Sequence, residues 1–403
     1  MKIVIYSHNF LPQRDAESYC ATRFASALAR NGHDVTVVTM DWPMKVSHST
    51  YDALVDSHLK IIRVPFGSKR NYWWCRIFYR CFLGDVVDVP ESVRAVRSLL
   101  QNSPDAILVT RTHPIMSLIV GWKCRKLAKK WIAHLSDPIP WFGFTADTIK
   151  GHIDDAWIRM WVRRAFLRAD AISVTCEEVG LFYQQFYGDD FDPAKMFVTT
   201  HIGDYRLTSV HHKTEVGKKS KQGVKRIIHP GSIYFNRGGM DIADAVRILN
   251  ESGRKCCFVQ VGEVDAPLRE RLEHADYAEL YDTVSPEKSI EISLTSDVVV
   301  VPDFKSPLPY SAQILSKFVY QLMDDKPIVI YGKDVSAHHS YAKRYPEAGI
   351  IWALEGDVHA LAEAIWNAVQ LDAKSINRVG IRREFEENTV AKKFERDIAV
   401  LDA

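Results

Sequence analysis

Several short stretches of this chain hold side chains whose types and spacing suit chemistry. In the second half, Pro230-Gly231-Ser232 leaves a strand-like run, and the loop that follows carries Arg237 and Gly239. A guanidinium in such a loop can grip an anionic group through two parallel hydrogen bonds. Glycine there lets the backbone come close to that group. A solvated loop arginine and ordinary turn glycines are the plainer readings of the same residues. Further on, Ser311 and Lys317 stand near the start of a helical pattern. Lys317 can supply a positioned cation or only a solvated helix face. Ser311 can supply a hydroxyl, although capping the helix is the role its type favours.

The first half offers a different chemistry. His134-Leu135-Ser136-Asp137-Pro138 leaves a strand end, and Trp141 and Phe142 follow closely. A carboxylate beside aromatic rings suits a sugar, because the carboxylate takes hydroxyl groups while rings stack on C–H faces. Asp137 is the preferred residue for binding such a hydroxyl-bearing partner or stabilising charge, with an Asp-Pro turn as the competing reading. His113, in Thr112-His113-Pro114, is the next candidate, set against the commoner structural or exposed histidine. Asp15 and Glu17 follow the first strand and suit a general base. An exposed polar loop or a capping role competes for both and is favoured for Glu17.

Other chemistries are disfavoured. Neither His211-His212 nor His338-His339 has metal-ligand spacing with carboxylates, so no metal is expected. Seven cysteines without a CxxC pair point to reduced, buried thiols rather than a disulfide framework or zinc site. The first strand is not followed by GxGxxG, which disfavours a nicotinamide or flavin enzyme, and GxxxxGK[ST] does not occur. A formal net charge of +2 is not that of a polycation built for nucleic acid.

Those residues need elements to position them. The 403 residues exceed one core and suit two domains, and 47% hydrophobic with 25% charged residues is ordinary for a globular chain. Strand-like runs at Lys2–Ser7 and Asp34–Met40 enclose a helical pattern over Tyr19–Asn31, closed by Gly32. This βαβ unit implies a parallel sheet. The pattern continues with strands at Ile61–Pro65, Ala106–Thr110, Trp131–Leu135 and Ala171–Thr175, and helices at Pro90–Asn102 and Ile115–Lys130. Since ligands of open parallel sheets bind at the carboxyl ends of strands, loops 8–18, 111–114 and 136–144 are expected to face one crevice. The polar, basic stretch 207–226 reads as a connection. Beyond it the pattern repeats: strands at Ile227–His229, Cys256–Val261, Asp297–Val301 and Lys326–Tyr331, and helices at Asp241–Leu249, Gln313–Met323 and Asn388–Leu401.

In this order the residues resemble the retaining, family-4-like glycosyltransferases of the two-domain GT-B fold. The resemblance rests on Leu11-Pro12, on Arg30 to Val35, on the Ala169-Asp170-Ala171-Ile172 passage, on Gly231 to Asp241, on Thr295 to Pro302, and on Lys317 through Val329. It implies an α/β chain of two Rossmann-like domains with a cleft between them. An acceptor-binding domain would span 1–206, a basic linker 207–226, a nucleotide-sugar-binding domain 227–385, and a C-terminal helix over 386–403 would pack back. The donor would meet Gly231, Ser232, Arg237, Gly239, Ser311, Lys317 and Tyr320. Asp137, His113 and Asp15 would serve catalysis, and Trp141 and Phe142 the acceptor. Domain closure would exclude water. The sequence departs from the family pattern in places. Loop 13–18 lacks the usual glycine pair, Ser232 and Gly238 replace an Arg and a Lys, and Ala312 and Tyr320 replace two Glu. These departures keep a second reading open, a non-catalytic subunit of the same fold that supports an active partner. An enzyme that epimerises or hydrolyses a nucleotide-sugar is a third.

The resemblance thus implies a hexosyltransferase of surface-polysaccharide or glycolipid synthesis. It would use a nucleotide-sugar donor as substrate, a saccharide or lipid-linked acceptor, and no cofactor, metal or nucleic acid. The N-terminus lacks a signal-peptide layout and the chain has no apolar run of the roughly 20 residues that span a bilayer, so a cytoplasmic place is expected. Three basic, aromatic stretches (Asn71–Gly84, 122–130 and Trp157–Arg168) suit an anionic membrane surface, or an aromatic core with solvated basic faces.

Overall fold

The β-branched runs become strands because, in parallel sheets covered on both faces, near-continuous Val, Ile and Leu bury themselves on either side. The computed structural model describes residues 1–41, 47–65, 89–111, 114–140, 148–203, 223–233, 237–303, 305 and 307–401. These divide into one unit of Met1–Ile202 with Glu386–Ala403, and another of Gly203–Phe385. Each is a parallel sheet flanked by helices.

In the first unit the strands are β1 (Lys2–Ser7), β2 (Asp34–Asp41), β3 (Lys60–Pro65), β4 (Ile107–Arg111), β5 (Lys130–Leu135), β6 (Ala171–Val174) and β7 (Met196–Val198). Their spatial order is β3-β2-β1-β4-β5-β6-β7. The chain runs outward from β1 in one direction, then restarts at β4 in the other. This reversal opens a crevice at the carboxyl ends of β1 and β4. Register aligns Ser7 with Arg111 and Arg111 with His134 at those ends. The first helix, Ala16–Arg30, is capped by Asp15, whose carboxylate accepts the Ser18 backbone N–H at 2.8 Å.

The last helix, Glu387–Val400, packs on that first helix within the same unit. Phe394 meets the ring of Phe24 edge-on at 5.1 Å, Arg30 pairs with Glu387 at 2.8 Å, and His33 with Glu395 at 2.7 Å. Its apolar side, Val390, Ala391, Phe394 and Ile398, is buried in the core.

In the second unit the strands are β8 (Lys225–Pro230), β9 (Cys256–Val261), β10 (Ala278–Tyr281), β11 (Val298–Pro302), β12 (Tyr310–Ser311), β13 (Ile328–Gly332), β14 (Val335–Ser336) and β15 (Ile350–Leu354). Six form the order β10-β9-β8-β11-β13-β15, and β12 pairs with β14. Direction reverses between β8 and β11, the counterpart of the first unit's crevice.

Several boundaries differ from expectation for local reasons. The helix expected to reach Lys130 stops at Cys124, and a short 3-10 turn follows over Arg125–Leu127. Lys130 is required as the first residue of β5, opposite Ile107. The helix expected over Gln313–Met323 is shortened to Ser316–Gln321. Its first residues, Gln313 to Leu315, belong to neither helix nor strand, and Ser311 stands in β12 opposite Ser336 instead of at a helix cap. The edge strands β10 and β15 and the helix Val358–Gln370 were not anticipated from the sequence. Every residue of β10 is only half-buried, so its apolar signal is weak. The connection expected at 207–226 lies, up to residue 222, outside the described residues.

Candidate functional site

In the second unit the candidate residues converge on the turn after β8. Gly231 has φ +132°, a backbone conformation that side chains disfavour. A Cβ placed there would stand 3.1 Å from Lys317 Nζ. The turn is held to β9, since Gly231 N donates to Val261 O at 2.7 Å. Ser232 Oγ accepts the Glu263 N–H at 3.2 Å. Gly262 has φ +106°, and a Cβ there would come within 2.8 Å of Ser232 N, so a side chain at 262 would displace the turn.

Lys317 reaches this turn from the Ser316–Gln321 helix. The start of that helix is set by a buried pair, His338 and Asp303, both with fully buried side chains. Leu315 N donates to His338 Nε2 at 3.0 Å, so the ring proton sits on Nδ1 and is given to Asp303 Oδ2 at 3.2 Å. Its far end is held by Arg378, which is 1% exposed. Arg378 donates to Gln321 O at 3.0 Å and Ala348 O at 2.8 Å, and also to the carbonyls of Asp324 and Lys326.

Electrostatically the turn is crowded by basic groups. Lys317 Nζ lies 2.9 Å from His229 Nε2. Burial, then the charge of Arg237, hold the Lys317 ammonium well below the usual lysine range. Burial, then Lys317, push His229 well below the usual histidine range. Two side chains resisting protonation beside a guanidinium form a place where an anion relieves the strain on the charges. Gly231, Arg237 and Lys317 are therefore brought together as the sequence suggested. Ser232 lies on the turn itself, and Tyr320 is on the Lys317 helix, three residues on.

Gly239 has a different duty. A Cβ there would fall 2.4 Å from Leu268, so glycine at this position is needed for packing at the start of the Gly239–Glu251 helix. Beside it Asp241 takes hydrogen bonds from Lys305 at 2.7 Å and Tyr331 at 2.8 Å. Asp241 and Lys305 line a small cavity of about 120 Å³ with Gly238, Gly239, Asp265 and Leu268. Lys305, His229 and Gln260 were not singled out from the sequence. His229 is one of fifteen histidines and is completely buried, and only the strand partner reveals its role.

In the first unit a second cluster forms at the carboxyl ends of β1, β4 and β5. Arg111 Nε donates to Glu17 Oε1 at 3.1 Å, and Ser136 Oγ donates to Glu17 Oε2 at 3.0 Å. Arg111 also lies over the Phe24 ring at 5.1 Å. Burial raises the Glu17 carboxyl above its ordinary value; Arg111 opposes this and Asp137 adds to it. His134 Nδ1 donates to Ser173 Oγ at 2.9 Å, because that hydroxyl spends its own proton on Thr199. Burial, then Arg111, lower His134 well below the usual range.

The capping role favoured for Glu17 belongs instead to Asp15, which also accepts the Ser18 hydroxyl at 2.7 Å. Glu17, two residues on and still in the first turn, is drawn into the cluster. Asp137 is exposed, on a backbone segment pinned by hydroxyls: Thr175 to Ser136 O at 3.0 Å, Tyr183 to Asp137 O at 3.2 Å, and Tyr187 to Ile139 O at 2.8 Å. His113, Trp141 and Phe142 lie outside the described residues, as does the Asn71–Gly84 stretch.

The other two basic aromatic stretches meet. Trp122, Trp157 and Trp161 make edge contacts at 5.8 and 5.9 Å, and Arg164 lies 4.6 Å from the Trp161 ring centre with Arg125 4.8 Å from that of Trp122. Trp161 is 6% exposed and serves as core, whereas Leu167 is 56% exposed. Among the described residues no helix is long and apolar enough to cross a membrane.

Comparison with known proteins follows the same division. A model of the glycosyl transferase 4-like domain matches residues 18–199. No curated protein matches the chain. Among solved structures, Anabaena HepE in complex with UDP aligns with a TM-score of 0.66 at 13% identity, over 99% of this chain and 100% of its own. The catalytic domain of starch synthase IV from Arabidopsis thaliana, bound to ADP and acarbose, gives 0.66 at 11% identity, over 99% of both. Sucrose-phosphate synthase from Thermosynechococcus elongatus gives 0.62 at 14% identity, over 99% of this chain and 94% of its own. These alignments, with two parallel α/β sheets, give the chain the GT-B fold, and residues 18–199 are similar to the glycosyl transferase 4-like domain.

Proposed function

We propose that this protein moves a hexose-type sugar from a nucleotide-sugar donor to a saccharide or lipid-linked acceptor, with retention of configuration and without a metal or cofactor. The observation that carries the reading is the Gly231 turn. Lys317 Nζ stands at its opening, 3.1 Å from where a side chain would begin, beside Arg237. A leaving nucleoside diphosphate gains negative charge as the glycosidic bond breaks, and fixed cations placed there stabilise it. UDP in HepE and ADP in starch synthase IV, both named in those structures, are ligands of this chemical kind. In this reading Gly231, Ser232, Arg237 and Lys317 hold the donor's diphosphate, with Gly239, Ser311 and Tyr320 around it. Asp137 and His113, with Trp141 and Phe142, serve the acceptor in the first unit. Asp15, engaged as a helix cap, keeps a catalytic part only if its hydrogen bonds to Ser18 are released.

The product is proposed to be a surface polysaccharide or glycolipid made at the cytoplasmic face of a membrane. The arginine-tryptophan surface around Arg125, Arg164 and exposed Leu167 supports a peripheral membrane position. Arg159 and Arg163 are paired with Asp155 and Asp190, which reduces their share of any attraction to lipid. The test is binding of a panel of UDP-, GDP-, dTDP- and CMP-sugars to the purified protein, repeated with anionic vesicles. Saturable binding of one donor, weakened in Arg237→Ala and Lys317→Ala, is the expected result. Absence of binding to every donor by the folded protein would instead favour a non-catalytic subunit.

A further inference from the structure

Behind Lys317 runs a chain of hydrogen bonds whose directions are all determined. Gln260 Nε2 faces two backbone carbonyls, Gly231 O at 2.9 Å and Gly262 O at 3.3 Å. Two acceptors demand the amide's N–H groups, so Gln260 Oε1 must point the other way. It meets His229 Nδ1 at 3.0 Å and can only accept, so Nδ1 carries the proton. His229 Nε2 faces Lys317 Nζ at 2.9 Å, and against an ammonium it can only present its lone pair. His229 and Gln260 are both 0% exposed, so water does not offer alternatives. Among the described residues the charged group acting on Lys317 is Arg237.

We propose that His229 and Gln260 are positioning residues for the anion site: through a fixed imidazole tautomer they hold Lys317 Nζ at the Gly231 turn with its remaining N–H groups directed at the ligand. This rests on the donor-site reading above. The relay starts from the carbonyls of the very turns that shape the site, so the turn's own backbone sets the direction of Lys317. A charged imidazole would place an N–H against an ammonium, and the arrangement excludes it. Gln260→Glu would break the relay, because a carboxylate cannot donate to Gly231 O and Gly262 O and would invite a second proton onto His229.

Two measurements on the full chain test this. The first is the ¹⁵N NMR spectrum of histidine-labelled protein, with the His229 signals identified by their loss in His229→Phe. The expected result is a neutral Nδ1–H tautomer that persists across the range where free histidine titrates, and whose preference is lost in Gln260→Met. A neutral Nε2–H tautomer, an imidazolium, or a tautomer indifferent to Gln260→Met would overturn the relay. The second is UDP affinity. His229→Phe should weaken it about tenfold, the order expected for a misdirected charged hydrogen bond, and His229→Gln, whose amide oxygen can take the Lys317 N–H, should recover most of it. Equal affinities in wild type and His229→Phe, or no recovery in an equally stable His229→Gln, would also overturn it. If the wild type binds no nucleoside diphosphate, the donor-site reading fails while the tautomer measurement still decides the relay.

Discussion

Arg111 and Glu17 form an ion pair at 3.1 Å on the carboxyl edge of the first sheet, with the Arg111 side chain 3% exposed and that of Glu17 19% exposed. The pair joins the end of β4 to the first turn of the helix that follows β1. It thereby ties together the two elements on either side of the strand-order reversal. Ser136 completes the Glu17 carboxylate, and Asp137 is the next residue along the chain.

Removing the carboxylate should leave a buried guanidinium without its acid. Glu17→Ala is expected to lower stability by about 3 kcal/mol, the lower end for breaking a buried pair. Urea unfolding followed by circular dichroism measures it. A cost within about 0.5 kcal/mol, the size of an ordinary surface change, would mean the pair holds nothing. The pH dependence has a definite sign. The folded-state value of Glu17 is raised, so the folded chain binds more protons than the unfolded one between the two values. Its contribution is present below the ordinary glutamate value and is lost as pH rises through the folded one. The stability advantage over Glu17→Gln should shrink across that interval.

Binding of UDP is expected to take up a proton at Lys317. Burial and Arg237 lower its affinity for protons in the empty site, and a bound diphosphate restores it. Affinity should be highest below the empty-site value and fall as pH rises through it. Calorimetry in buffers of different ionisation enthalpy reads the uptake directly. Lys317→Met should abolish the uptake and weaken UDP by about tenfold or more, as for loss of one charge-assisted bond. Unchanged uptake in that variant would assign the proton to another group.

Gly231→Ala combines two penalties. The backbone at φ +132° is strained for alanine, and the new methyl group would stand 3.1 Å from Lys317 Nζ. A loss of about 1–3 kcal/mol is expected from the backbone alone. UDP affinity should fall further than in a variant of matched stability elsewhere in the second unit. Equal losses in both would reduce Gly231 to a turn residue.

The C-terminal helix should be integral to the first unit. Phe394 is 1% exposed and contacts both Phe24 and Phe197. Phe394→Ala is expected to cost about 3–5 kcal/mol. Hydrogen exchange should report faster opening at the Ala16–Arg30 helix, with the Gly239–Glu251 helix unaffected. Faster exchange in both helices would show that the two units unfold together.

Much of the frame was already present in the order of residues. Runs such as Val35–Met40 and Val298–Pro302 have no alternation of polar and apolar side chains, which marks strands buried on both faces. Gly32 after a helical pattern marks its end, because capping chemistry is local, whereas the cap at the start fell to Asp15 and not to Glu17. The turn glycines and Arg237 were visible for the same reason, and with Lys317 they marked the side proposed here for the donor. Other features were decided only in three dimensions. Ser311 was drawn into a two-residue strand by Ser336, and Glu17 was drawn from a helix's first turn to a buried arginine 94 positions away. His229 and Gln260 look like unremarkable strand residues, and their polarity is tolerated in the core only because neighbouring strands place each opposite a partner. Local patterns follow from the chain's own period and caps, whereas such pairs depend on sheet register, in which residues distant in sequence are brought within hydrogen-bonding distance.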